Sequence, residues 1–312
     1  MKIIVTGALG HIGSYVIRQL PFSFPDSEVI LVDNLMTQRY SSLFDLPKNG
    51  KYKFIEFDVT KDDLDVILCG ANVVIHLAAI TDAAGSFNRQ QELENNNFVA
   101  TKKVAESCVK NGVRLICLSS TSVYGTQNNL VSENCTLDEL KPQSPYATTK
   151  LKEEDFVRSL CLNNSLKAVI CRFGTIYGDS PGMRFHTAVN KFCWQSVMGI
   201  PITVWSTAFD QKRPYLDLND AYRVFEFLIR ENLFDGEIYN VLTGNHTVRD
   251  ITNSIKNHVK EFEISFVDNK IMNQLSYEVD NTKIINKGFC FKGDLNSGIK
   301  RTIKLLENSN RS

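Results

Sequence analysis

Lys2-Ile3-Ile4-Val5-Thr6-Gly7-Ala8-Leu9-Gly10-His11-Ile12-Gly13 is the stretch whose reading decides the fold. A short β-branched run, Ile3–Val5, enters a turn with glycine at every third position, and a helical segment, Ile12–Leu20, follows. Strand, G-x-x-G-x-x-G and helix in that order form a dinucleotide site. The glycines allow a tight turn and close backbone approach to a pyrophosphate, and the helix N-terminus offers unpaired N–H groups to its charge. Glycines alone would indicate only a turn. The flanking elements add weight, so Gly7, Gly10, His11, Ile12 and Gly13 are expected to line a cofactor.

Working outward, a second strand, Glu28–Val32, ends at Asp33-Asn34, and Asp33 lies 20 residues beyond Gly13. A carboxylate there accepts from the adenosine ribose hydroxyls and repels a 2′-phosphate, which favours NAD over NADP. Asp58-Val59 follows the strand Phe54–Phe57. The acid is placed to accept from the adenine amino group and the valine to pack on the ring, with a local Asx turn as the alternative. A fourth strand, Val73–Leu77, closes in His76-Leu77-Ala78-Ala79, whose small residues leave room for a cofactor. His76 by itself reads as a packed histidine.

Helices are expected near 90–111 and 146–162, and further strands at Arg114–Leu118 and Leu166–Arg172. Alternation of this kind gives right-handed crossovers and an α/β fold with a doubly wound parallel sheet. After Gly174 the loops lengthen and the pattern becomes less regular. The expected organisation is a Rossmann domain over 1–174, with return segments near 215–242, and a smaller interleaved cap over 175–312. Such a cap covers the C-terminal edge of the sheet, where open α/β sheets bind ligands.

Composition narrows the function. The chain has 312 residues, 43% of them hydrophobic, and 35 basic against 35 acidic side chains. A net charge of zero gives no electrostatic case for nucleic acid. No apolar run reaches membrane-spanning length and none resembles a secretory leader, so a cytoplasmic protein without membrane contact is expected. The eight cysteines include no C-x-x-C pair and read as free thiols, with no metal site expected.

Tyr146-Ala147-Thr148-Thr149-Lys150 is a Y-x-x-x-K. On a helix this spacing puts both side chains on one face, where an ammonium stabilises phenolate. Alone the pattern is common by chance. Here the strand Arg114–Leu118 also delivers Ser119-Ser120-Thr121-Ser122-Val123-Tyr124-Gly125 to the same sheet edge. A serine hydroxyl, a tyrosine base and a lysine suit oxidation of an alcohol by a nicotinamide.

TGALGHIG, the Asp33 strand end, HLAA, SSTSVYG, YATTK and RFGTIYG, in this order, resemble the extended short-chain dehydrogenases, the NAD-dependent epimerase/dehydratase family typified by UDP-galactose 4-epimerase. The resemblance implies that Tyr146 is the base, that Lys150 holds the nicotinamide ribose and tunes Tyr146, and that Ser120 is the catalytic hydroxyl. It implies a cofactor-side role for Asn97 and a substrate diphosphate contact for Arg213. It also implies a homodimer paired through the helices near 90–111 and 146–162.

Departures shape the expected reaction. Family dehydratases carry an Asp-Glu pair where this chain has Thr121 and Ser122, so water elimination is not expected. Thr175 stands where relatives have asparagine, and NQLSYEVDNTK replaces an R-x-G-D near the base. Thr121, Ser122, Thr175 and Arg213 are therefore the candidate contacts to a nucleotide-diphosphate sugar of open identity. The expected reaction is redox chemistry at the sugar C4 through a 4-keto sugar, as a 4-epimerase or a net 4-dehydrogenase. The alternatives are a 4-keto-sugar or other carbonyl reductase, and a non-catalytic NAD-binding module.

Overall fold

The computed structural model describes residues 1–81, 90–125, 130–267 and 276–309. The first part contains β1 (Lys2–Thr6), α1 (His11–Ser23), β2 (Glu28–Asp33), β3 (Lys51–Glu56), α2 (Asp65–Leu68), β4 (Val73–His76), α3 (Gln90–Asn111) and β5 (Arg114–Ser120). The chain continues through β6 (Leu130–Val131), α4 (Pro145–Asn164), β7 (Ala168–Phe173), β8 (Thr175–Tyr177), α5 (Ala188–Val197), β9 (Ile202–Trp205) and β10 (Arg213–Asp217). It then forms α6 (Leu218–Arg230), β11 (Ile238–Val241), β12 (Gly244–His246), α7 (Val248–Lys256), β13 (Ile264–Val267), β14 (Glu278–Val279), α8 (Thr282–Asn286) and α9 (Leu295–Leu306).

Seven strands form one sheet in the order β11-β7-β5-β4-β1-β2-β3, with every neighbouring pair parallel. From β1 the order runs outward to β3 on one side and from β4 to β11 on the other. The crevice where it reverses lies between the C-terminal ends of β1 and β4, the ligand position of this architecture. Alternate side chains fill opposite faces. Ile3, Val5 and Leu31 pack with Val16 and Leu20 of α1 and Phe225 of α6. Ile4, Ile30 and Val74 pack with Val104 of α3 and Val157 of α4. Burial on both faces explains why these strands read as continuous apolar runs.

The expected strand at Phe54–Phe57 begins earlier, at Lys51. As the sheet edge it keeps Lys51 and Lys53 exposed, so an apolar-run reading misses its start. Strand β5 runs on to Ser120 and carries both serines into the sheet.

The second layer of structure is the small sheet β12-β10-β8 and the parallel pair β9–β13. With α5, α7 and α9 they enclose a separate core including Phe192, Ile202, Tyr215, Ile251 and Ile299. β11 lies at the edge of the main sheet and α6 packs against α1. The chain therefore passes from the main sheet into this unit and back. All eight cysteines are free, and Cys108, Cys117, Cys171 and Cys193 are buried. Among the described residues no group of His, Cys, Asp and Glu is arranged to hold a metal, and no helix is long and apolar enough to cross a membrane.

Candidate active site

The glycine turn after β1 closes directly on the end of β4. Gly7 has φ +65, and a Cβ there would lie 2.7 Å from the Ala78 nitrogen and the Leu77 carbonyl carbon. A Cβ on Gly13 would run into the Gly7 carbonyl oxygen and lie 2.8 Å from the Ala8 Cα. Helix α1 begins after Gly10 with no side-chain cap and no acid in its first turn. The N–H groups of His11, Ile12 and Gly13 thus form the positive end of an uncapped helix. Asp33 braces the turn, accepting from the Leu9 amide (3.1 Å) through Oδ2 and from the Leu35 amide (3.0 Å) through Oδ1. Because the added methyl must displace backbone, Gly13→Ala is expected to weaken NAD binding at least about tenfold, near 1.4 kcal/mol. Calorimetric titration checks this, with the thermal melt showing that the fold survives. Unchanged affinity would remove the turn from the cofactor site.

A clasp that the sequence did not announce holds the outer side of this turn. The His11 Nε2–H donates to the Gly178 carbonyl (2.8 Å). Ser14 Oγ accepts from the Gly182 amide (2.9 Å), and Ser180 Oγ donates to the His11 carbonyl (2.9 Å). Arg39 donates to the Gly182 carbonyl (3.0 Å), and its Nη1 lies 4.0 Å from where a Gly10 Cβ would stand. The His11 ring thus serves the clasp, while its backbone remains in the first helical turn. The only sequence hint was the turn-forming Ser180-Pro181-Gly182.

Asp58 forms an Asx turn. Its Oδ1 accepts from the Thr60 amide (3.0 Å) and hydroxyl (2.6 Å), and Lys61 pairs with Oδ2 at 3.0 Å. Asn34 is exposed and accepts from the Met36 amide (3.1 Å). Val59 is buried with the core of the α3 face. Asn97 clips the segment after β4, accepting from the Ile80 amide and donating to the Ile80 carbonyl, both at 2.8 Å. Leu77, Ala78 and Ala79 run half-buried between that clip and the glycine turn.

Ser144 caps α4 by accepting from the Ala147 amide (3.2 Å), and Pro145 opens the first turn. Tyr146 therefore sits at the positive end of the helix, with Lys150 one turn on. The Lys150 ammonium lies 5.9 Å from the Tyr146 ring centroid and donates to the Leu118 carbonyl (3.0 Å) and to Glu153 Oε2 (2.8 Å). Leu118 is two residues before Ser120 on β5, so one ammonium joins the tyrosine helix to the serine strand. Ser120 Oγ accepts from the Ser122 amide (3.2 Å) and hydroxyl (2.9 Å). Burial pushes the Tyr146 hydroxyl up; Lys150 and Arg184 pull it down, and Glu153 opposes them. Burial alone would lower Lys150, but Glu153 and Tyr146 carry it above the usual ammonium range.

Beyond β5, Thr121 is buried and donates to the Phe173 carbonyl (3.3 Å), with the Tyr277 hydroxyl at 3.4 Å. Thr175 lies opposite Tyr215 in the β8–β10 pairing. Burial pushes Tyr215 up to about 12, while Arg213 pulls it down and Tyr277 raises it further. Arg213 and Tyr277 thus both act electrostatically on Tyr215, and the Thr121 hydroxyl lies between the Phe173 carbonyl and the Tyr277 hydroxyl. Of NQLSYEVDNTK, residues 273–275 lie outside the described residues. His186 and Lys191 are exposed, Phe192 is core, and Phe185 packs on Trp194 at 5.4 Å.

Two buried polar networks support this edge, and no sequence spacing predicted either. In one, Arg172 donates to both oxygens of Glu154 (2.9 and 2.6 Å) and to the Tyr124 hydroxyl (3.0 Å). In the other, Thr6 Oγ1 lies 2.8 Å from His76 Nδ1 and Thr101 Oγ1 lies 3.3 Å from His76 Nε2. Thr101 donates to Glu153 Oε2 (2.9 Å).

Burial takes the His76 pKa down to about 3, with the Lys150 charge adding to the effect, and takes His11 down to about 4 against the pull of the Gly178 carbonyl. Both rings are neutral in the fold but protonate near 6.5 in the unfolded chain. Their stabilisation is complete above that value and is lost as pH falls toward 4 and 3, by about 1.4 kcal/mol per pH unit for each ring. Urea unfolding at pH 7 and pH 5 measures the loss. Equal stability at the two values would contradict the neutral assignment.

The NAD dependent epimerase/dehydratase family matches residues 3–241. A trifunctional UDP-glucose 4,6-dehydratase/UDP-4-keto-6-deoxy-D-glucose 3,5-epimerase/UDP-4-keto-L-rhamnose-reductase of Arabidopsis thaliana is 28% identical, over 97% of this chain and 46% of its own length. The chain spans about half the length of three such plant relatives. An uncharacterized UDP-glucose epimerase of Bacillus subtilis is 30% identical, covering 77% of this chain and 76% of that protein. The crystal structure of a UDP-glucuronic acid 4-epimerase from Bacillus cereus, in complex with UDP-glucuronic acid and NAD, superimposes with a TM-score of 0.87, at 26% identity, over 99% of this chain and all of that one. The chain belongs to the NAD dependent epimerase/dehydratase family.

Proposed function

We propose that this chain is an NAD-dependent oxidoreductase acting at C4 of a nucleotide-diphosphate sugar through a 4-keto sugar, as a 4-epimerase or a net 4-dehydrogenase. The observation that carries the reading is the Lys150 ammonium, which reaches from the Tyr146 ring to the carbonyl of the strand ending in Ser120. These groups stand at the sheet edge where the β1 and β4 ends meet. The residues fit NAD: the turn closes only with Gly7 and Gly13, the helix behind it is uncapped, and Asp33 stands at the end of β2. NAD held there would supply the hydride acceptor for the sugar carbon.

This chain's own residues do the proton work. Tyr146 takes the C4 hydroxyl proton, and Lys150 favours its phenolate and holds the nicotinamide ribose. Ser120, which accepts both bonds from Ser122, keeps its own hydrogen for the sugar oxygen. Arg213 pairs with the substrate diphosphate, and Thr121, Ser122 and Thr175 contact the sugar. Thr121 and Ser122 put no carboxylate into the turn after β5, which speaks against elimination of water even though several relatives are named as dehydratases.

The test is single-turnover incubation with NAD and a panel including UDP-glucose, UDP-glucuronic acid and GDP-, dTDP- and CDP-sugars. Nicotinamide absorbance and product NMR are followed together. A C4 epimer without lasting reduction identifies a 4-epimerase; reduction in step with a 4-keto sugar identifies a dehydrogenase. Dehydration products, or no turnover with NAD bound, would overturn the reading.

The proposed assembly is a homodimer through α3 and α4. These helices lie side by side, with Phe98 and Phe156 in edge contact at 5.9 Å and the Lys102 ammonium 5.9 Å from the Phe156 ring centroid. Sedimentation at micromolar concentration is expected to give a dimer, and Phe156→Asp to shift it toward monomer. A wild-type monomer counts against the assembly.

A further inference from the structure

Glu153 is buried, has no role in the proton transfer described above, and leaves Oε1 buried without a hydrogen-bond partner among the described residues. Its other oxygen ends a chain whose directions follow from its donors. Thr6 Oγ1 accepts from the Ala78 amide (3.3 Å) and shares the Leu77 amide (3.2 Å) with its own carbonyl (3.0 Å), which directs its hydrogen to His76 Nδ1. His76 therefore carries its hydrogen on Nε2 and donates to Thr101, which donates onward to Glu153 Oε2. Lys150 donates to the same oxygen. Glu153 Oε2 is thus an acceptor for two donors, and a proton on Oε1 would face no acceptor. Burial pushes the Glu153 carboxyl up, and the Lys150 and Thr101 donors work against that push and favour the carboxylate; the chain also ties the lysine to the end of β1 at the glycine turn.

We propose that Glu153 is a positioning residue for Lys150 that sets the pH range in which Tyr146 works as a base. The proposal rests on the reading of Tyr146 as base given above. A carboxylate 2.8 Å from the ammonium holds it beside Leu118 and offsets part of the positive charge that favours phenolate. The tyrosine base is therefore weighted toward the alkaline side, and neutralising Glu153 moves its ionisation to lower pH. The other groups facing this pair do not replace that effect. Glu154, on the same helix, is paired with Arg172 of β7. Cys117 of β5 is held above the usual thiol range by burial, up to about 12, and His76 of β4 is neutral. Arg184 acts on Tyr146 in the same sense as Lys150.

The experiment reads Tyr146 twice. Phenolate absorbance is titrated in the protein without added dinucleotide, and Tyr146→Phe identifies its contribution among ten tyrosines. The pH profile of single-turnover reduction is measured alongside. Glu153→Gln is expected to lower the midpoint of both by about one unit, the scale of one neighbouring charge, and Glu153→Asp to restore most of it. A merely structural glutamate would change melting temperature and rate at every pH without moving either midpoint, and that result overturns the proposal. Should Glu153→Gln fail to fold, Glu153→Met carries the same expectation. If neither neutral side chain folds, Glu153 is a folding residue and the tuning role falls. Full turnover by Tyr146→Phe would instead refute the base reading, whichever way the absorbance moves.

Discussion

Tyr146→Phe is expected to bind NAD and sugar nucleotide as the wild type does and to lose about 10²–10⁴-fold in the rate of the redox step, the usual range for a positioned general base. The substitution removes one oxygen and leaves the ring, so the surface beneath Lys150 keeps its shape. Lys150 retains its bonds to Leu118 and Glu153, and Ser120 retains those from Ser122. What is lost is the only phenol in the first turn of α4, where the helix dipole and an ammonium both favour its ionised form. Single-turnover absorbance gives the rate and calorimetry gives the affinity. A rate within a few-fold of wild type would assign the proton to another group. A matched loss of affinity would make Tyr146 a packing residue. Lys150 is a poorer probe, because removing it leaves Glu153 as a buried charge without its ion-pair partner.

What could be read from the sequence divides by distance along the chain. Gly7 and Gly13 were legible because a turn that permits no Cβ is a local demand, and the elements on both sides agree with it. Tyr146 and Lys150 were legible because one helical turn joins them. Strand β3 was half legible: its inner residues are apolar, but its edge lysines face solvent. Asp58 shows the limit of a local reading, since the same residue at the same strand end suits an adenine contact or an Asx turn. The geometry shows the turn, made through Oδ1, and the turn is compatible with an adenine contact. The Thr6–His76–Thr101–Glu153 chain was not legible at all. Its links cross 70, 25 and 52 residues, and each residue type alone has a bland explanation. The clasp between His11 and Gly178 spans 167 residues and depends on where the segment after β8 returns.

Arg172→Met is expected to cost about 3–5 kcal/mol of stability, because it strips a buried carboxylate of its counter-charge. Both side chains are almost fully buried, and among the described residues Glu154 would keep only the Ser119 hydroxyl as a donor. The Tyr124 hydroxyl would lose its donor from Arg172 while still donating to Asn240 (2.8 Å). Replacing both charges, as Glu154→Leu with Arg172→Met, removes the stranded carboxylate and is expected to recover at least half of the loss, since a buried ion pair is often no more stabilising than well-packed apolar groups. The pair also has a geometric role. It joins α4, one turn beyond Lys150, to β7, and through Ser119 it holds the strand end that presents Ser120. The double variant should therefore fold well and turn over more slowly, with NAD affinity near wild type. Urea unfolding and single-turnover rates on the three proteins separate these effects. A cost below about 1 kcal/mol for Arg172→Met would mean the carboxylate finds water or a proton without penalty. A stable double variant with full activity would mean that apolar packing alone aligns the serine strand with the tyrosine helix.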